Sequence, residues 1–124
     1  MSVIVRDDGF HAEDFTGGAI LDIAPDTLPG ALPQDFDGVA MIRVAFPAFS
    51  DGRGLTLARH LRARGFRGRL RARGHVIADQ YTMARRAGFD EVEISEELAA
   101  RQPAGQWIFR ADWREHDYRS RLKG

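Results

Sequence analysis

Residues 39–95 alternate short apolar runs with amphipathic helical stretches, and few folds accept that alternation. Val39–Phe46 (VAMIRVAF) is nearly all apolar, as expected of a strand buried on both faces of a parallel sheet. Leu55–Arg64 carries Leu57 and Leu61 one helical turn apart with Ala58 beside them, and Gly65 follows as a C′ glycine. Phe66–Arg73 reads as the next strand. Val76–Ala87 reads as the next helix, with Ile77, Tyr81, Ala84 and Gly88 on one stripe. Glu91–Ile94 is a third strand with Val92 and Ile94 inward, and Ser95 N-caps a short helix ending at Arg101. ARGF at 63–66 and RAGF at 86–89 each close a helix and open a strand. The pattern predicts an α/β fold. Its centre is a parallel β-α-β-α-β core over residues 39–101, an open sheet or a partial barrel, with right-handed crossovers and helices packed on the sheet.

The flanks are less regular. Residues 1–38 are rich in Gly, Pro and Asp and predict an irregular acidic segment, in which Val3–Val5 and Ala19–Ile23 read as a hairpin or short strands. Pro25, Pro29 and Pro33 mark a loop from Ala24 to Gly38. The tail, residues 102–124, holds both tryptophans. Trp107–Gly124 reads as a short strand or helix followed by a fraying polar end. With 124 residues, the chain is expected to form one domain, 1–124.

Charge is unevenly placed. Residues 1–52 carry nine acids against Arg6 and Arg43, whereas residues 53–86 carry ten arginines against Asp79 alone. The asymmetry predicts either an anion-binding face or internal docking of acidic on basic segments. Lysine occurs only at Lys123, and the planar fork of arginine suits oxyanions better. The absence of cysteine excludes disulfides, a Cys nucleophile and Cys-held metals within this chain. There is no basic segment leading an apolar one at the start, and no apolar run near the ~18 residues that span a bilayer. The expected location is the cytoplasm, with no membrane partner.

Two loops concentrate the chemistry. Phe46–Gly54 follows a buried strand and opens a helix, where parallel sheets bind ligands. Gly52 and Gly54 would admit a close backbone approach and Arg53 adds charge; the competing reading is a turn capped by Asp51. The motif DGRG is neither a Walker A motif nor a dinucleotide fingerprint. Arg71, Arg73, Gly74 and His75 end the second strand, with Asp79 and Gln80 in the following first turn. If the two crossovers are equivalent, Gly52, Arg53, Gly54, Arg71, Arg73, Gly74, His75 and Gln80 border one cationic pocket fit for a small dianion. Asp51 and Asp79 are then the candidates for general acid or base.

The arginines also have a plain structural reading. Period two puts Arg67, Arg69, Arg71 and Arg73 on one strand face, where Glu91 and Glu93 opposite Arg69 and Arg71 would neutralise them. The acidic first third would cover the remainder. An arginine-faced strand also fits a homodimer interface. Nucleic acid is a third reading of RARGFRGRLRARG, though Phe66 reads as a core residue and no RNP, KH or C2H2 pattern is present. Ser2, Ser50, Ser95 and Ser120 sit in no GxSxG motif. His11, Glu13 and Asp14 cluster without a distant partner pair, and HExxH is absent. No metal, cofactor or catalytic triad is therefore expected, and an enzyme is not the favoured reading.

FPAFSDGRG, LRARGFRGRLRARGHVIADQ and RRAGFDEVEI, in this order and spacing, resemble the bacterial family known as domain of unknown function 934. The resemblance covers roughly residues 36–95. It rests on Phe46, Pro47, Phe49, Asp51, Gly52, Arg53, Gly54, Arg71, Gly74, Asp79, Gln80, Gly88, Phe89 and Asp90. The chain departs from the family at Arg69, where Glu is common, at His75, where Asp is frequent, and at Ala87, where Cys is common. The resemblance implies an accessory, oxidoreductase-associated role in assimilatory sulfite reduction, with a sulfite reductase component or a small oxyanion as partner. An enzyme acting on a phosphorylated or sulfated small molecule, and an arginine-driven nucleic-acid binder, are the alternatives.

Overall fold

The computed structural model describes residues 2–113. Six strands form one sheet: β1 (Ser2–Arg6), β2 (Gly9–His11), β3 (Ala19–Ile23), β4 (Val39–Phe46), β5 (Arg69–Gly74) and β6 (Glu91–Ser95). Their order is β2-β1-β6-β5-β4-β3. Strands β3 to β6 run parallel, while β1 is antiparallel to β6 and β2 antiparallel to β1. Four helices follow: α1 (Arg53–Ala63), α2 (Tyr81–Ala87), α3 (Glu96–Arg101) and α4 (Ala104–Phe109). The protein is thus an α/β domain with an open, mostly parallel sheet.

Residues 1–38 are more regular than expected: the short strands expected at Val3–Val5 and Ala19–Ile23 form, although they do not pair as a hairpin. This segment supplies β1, β2 and β3, half the strands of the sheet, with β1 inserted beside β6 at its centre. These strands are only three to five residues long, and partners far along the chain hold them in place. Strand β5 begins at Arg69, so Arg67 lies outside the arginine stripe and caps the carbonyls of Arg62 and Phe66 instead. A 3₁₀ turn at Ala78–Gln80 replaces the first turn of the expected second helix. Ser95 caps α3 by accepting from the Leu98 N–H. The expected tail contains α4; its fraying polar end falls outside the described residues.

The strand order explains the layering. From β3 through β6 each strand is added on the same side of the last, so right-handed crossovers send α1 and α2 to one face. That face carries Val5, Ile42, Val44, Leu70, Ala72, Val92 and Ile94 against Leu57, Leu61, Tyr81, Ala84 and Trp107, all buried. Among the described residues the opposite face carries no helix. The register lines up Asp22, Arg43, Arg71 and Glu91 there, with Arg69, Arg73, Glu93 and Arg6 around them. Residues 12–18 cross it, joining β2 on one edge to β3 on the other. Five strand spacings make that crossing about 24 Å. Seven residues reach little further even when extended, so the segment is a nearly taut strap.

Candidate functional site

Arg71 sits under the strap with its side chain wholly buried. It donates from Nε to Glu91 Oε2 (2.6 Å), from Nη1 to Glu93 Oε1 (2.8 Å), and from Nη1 and Nη2 to the two carboxylate oxygens of Glu13 (2.6 and 2.7 Å). Burial alone would lower its pKa, but the hydrogen bonds it donates to these carboxylates raise it. The same bonds hold Glu13 down to about 2, and outweigh the burial that would raise Glu93. Asp14, also on the strap, accepts from Arg6 (2.6 Å) and Arg69 (3.0 Å), and Arg43 pairs with Asp22. On this face five arginines (6, 43, 69, 71, 73) meet five carboxylates (13, 14, 22, 91, 93). The register sets Glu91 beside Arg71 and Glu93 beside Arg73, two residues on from the expected pairing.

Internal docking therefore accounts for most of the charge asymmetry. Arg71, expected in an anion pocket, has no donor left to offer one. Other arginines clamp carbonyls: Arg62 donates to Gly88, Phe66 and Gly68, and Arg64 to Leu32 and Pro29. On the β5 face Arg71 lies beneath the strap, whereas Arg73 is exposed. Phe66 is buried against Phe36, as a core residue.

The Asp51–Gly54 loop behaves as a cap. Asp51 Oδ1 accepts from the Arg53 N–H (3.1 Å), and its carboxylate pairs with the Arg53 guanidinium (2.9 and 2.6 Å). Those bonds hold Asp51 down to about 2. Gly54 is packed under Phe46, where a Cβ would lie 2.5 Å from Cζ; Gly52 faces open space. Arg53 borders a separate groove of about 340 Å³ with Leu28, Pro29 and Leu57. Gly52, Arg53 and Gly54 thus do not share a pocket with Arg73, Gly74 and His75, although Phe46, Pro47 and Phe49 of the same loop do. Gln80 is tied to Ile77 N–H and to the Phe49 carbonyl, and Asp79 pairs with Arg110 at 3.0 Å.

Arg73, Gly74 and His75 do come together, in a cleft of about 460 Å³ at the carboxyl ends of β4, β5 and β6. Gly74, at φ +123°, runs so close to Phe46 that a Cβ would meet its carbonyl oxygen at 2.6 Å, and the His75 N–H donates to that same oxygen. This crossing forms the cleft floor. Ser2, Glu93 and Ser95 line one wall. A second recess of about 200 Å³ shares Gly74, His75 and Ser95 and adds Phe49, Glu97 and Arg101. Arg73 is 54 % exposed; its Nε lies 3.3 Å from Glu93, and its Nη nitrogens meet no partner among the described residues. Arg101 is 67 % exposed, with only Glu97 at 3.9 Å. Sequence reading missed Arg101 and Phe49 as neighbours of His75. Phe49 stands among the family motif positions, but nothing local brings Arg101 to it. No group of metal-binding side chains occurs among the described residues.

The fold and cleft define a two-layer α/β protein with a polar recess where parallel strands end. The chain belongs to the bacterial family of unknown function DUF934, whose model matches residues 20–116. That match extends beyond the span of the motifs and takes in β3 and α4. No curated protein and no solved structure matches it. Among the described residues no helix is long and apolar enough to cross a membrane.

Proposed function

We propose that this protein is a cytoplasmic accessory protein of assimilatory sulfite reduction. It holds a small sulfur or phosphorus oxyanion, free or presented by a reductase component, in the cleft of Arg73, Gly74 and His75. The observation that carries the reading is Arg73. It is the one arginine of the polar face whose Nη nitrogens remain unpaired among the described residues, and it stands at the strand ends where ligands of parallel sheets collect. The link to sulfite rests on the family resemblance. The enzyme reading gains no support, because Asp51 and Asp79 lie outside the cleft and are paired with Arg53 and Arg110.

Titration of the protein with sulfite, sulfate and phosphate tests the reading. Arg73→Ala is expected to weaken binding at least tenfold, whereas Arg53→Ala, which removes a cation already neutralised by Asp51, leaves it unchanged. Equal binding by wild type and a folded Arg73→Ala protein would overturn the assignment.

A further inference from the structure

The cleft and its adjoining recess exceed what an inorganic oxyanion fills. Together they have the dimensions of a small-molecule site, a few hundred Å³ and upwards. Their contents are of two kinds. Arg73 and Arg101 supply under-used guanidinium groups on either side of His75. Phe49 supplies an aromatic ring, 43 % exposed and braced edge-on against the His75 imidazole with ring centroids 5.5 Å apart. Its position is fixed from behind, because Gln80 donates to its carbonyl. An exposed ring held in place beside two exposed, loosely paired cations is an arrangement for a ligand with a flat face and an anionic end.

The charge balance agrees. Glu93 is committed to Arg71 and Ser2, and Arg43 and Arg73 also lie within 3.5 Å of it. Glu97 is 83 % exposed and only loosely paired with Arg101, so such a pair is worth little. Arg73 and Arg101 are thus each loosely paired with one carboxylate that a ligand anion can displace. The Ser95 hydroxyl, which accepts from Leu98 N–H, retains its own proton to donate.

We infer that the cleft binds an organic phosphate or sulfate monoester carrying a planar ring, of the mononucleotide class. The ring lies against Phe49 and the ester anion between Arg73 and Arg101. This rests on the oxyanion reading above and names the ligand class of the same site. Calorimetric titration with AMP, ribose 5-phosphate and inorganic phosphate separates the contributions. AMP is expected to bind at least tenfold more tightly than either ring-less anion. Phe49→Ala is expected to erase that advantage without changing phosphate affinity, while Arg73→Ala and Arg101→Ala weaken all three. If AMP binds no better than ribose 5-phosphate, or Phe49→Ala retains the preference, this inference falls and the oxyanion reading stands. If none of the three binds, both fall.

Discussion

Arg71 meets three carboxylates, two of them buried with it on neighbouring positions of β6 and one reaching down from the strap. Removing its charge would leave Glu91 and Glu93 without their central partner in a water-poor layer. Uncompensated buried charge of this kind costs roughly 3–5 kcal/mol. Arg71→Met, which keeps the bulk, is therefore expected to lower the free energy of unfolding by that order in urea denaturation. A change below about 1 kcal/mol would mean that the neighbouring arginines take over the carboxylates. Sequence spacing placed Arg71 on the correct face but could not show its commitment. Glu13 lies 58 positions away, and only the assembled sheet brings them together. Arg73, two residues on, has the same chemistry and a different fate because it stands beyond the reach of the strap.

At the level of elements, the β4-α1-β5-α2-β6 core was legible because each piece carries its own periodicity and both helices stop at a glycine. Strands β1, β2 and β3 were harder to read because pairing makes them, rather than propensity. The expectation of one pocket failed on an assumed equivalence of the two crossovers. The β4–α1 loop spends its polar groups on itself, through Asp51 and Arg53, whereas the connection from β5 to the 3₁₀ turn leaves Arg73 and His75 open. The glycines of the first loop make the contrast testable. A Cβ at Gly54 would drive into the Phe46 ring, an overpacking worth roughly 1–3 kcal/mol. Gly52 has free space and φ −90°. Gly54→Ala should lower the denaturation midpoint, and Gly52→Ala should leave it unchanged or raise it slightly. Similar losses in both would show that the loop, rather than the contact, is sensitive.

For the whole molecule, the strap stands in for a second layer of helices. Parallel sheets ordinarily need cover on both faces; here seven residues and an ion lattice provide it. Glu13 titrates near 2 in the folded protein against an ordinary value of 4.5. Its depressed pKa contributes stability that is fully present above 4.5 and is lost as pH falls toward 2. Melting temperatures measured across that window should decline in the wild type. Glu13→Gln should start lower at neutral pH, and the gap should close as the buffer is acidified. A constant gap would mean that Glu13 holds the strap through contacts that do not depend on its charge.

The insertion of β1 beside β6 also governs the order in which the chain can organise itself. Units joined by nearby contacts gather quickly, whereas pairing Ser2 with Glu93 closes a loop across 91 positions. The N-terminal hairpin is then a keystone set last. Until it seats, the strap has no anchor at β2, and the arginine row lies open to water.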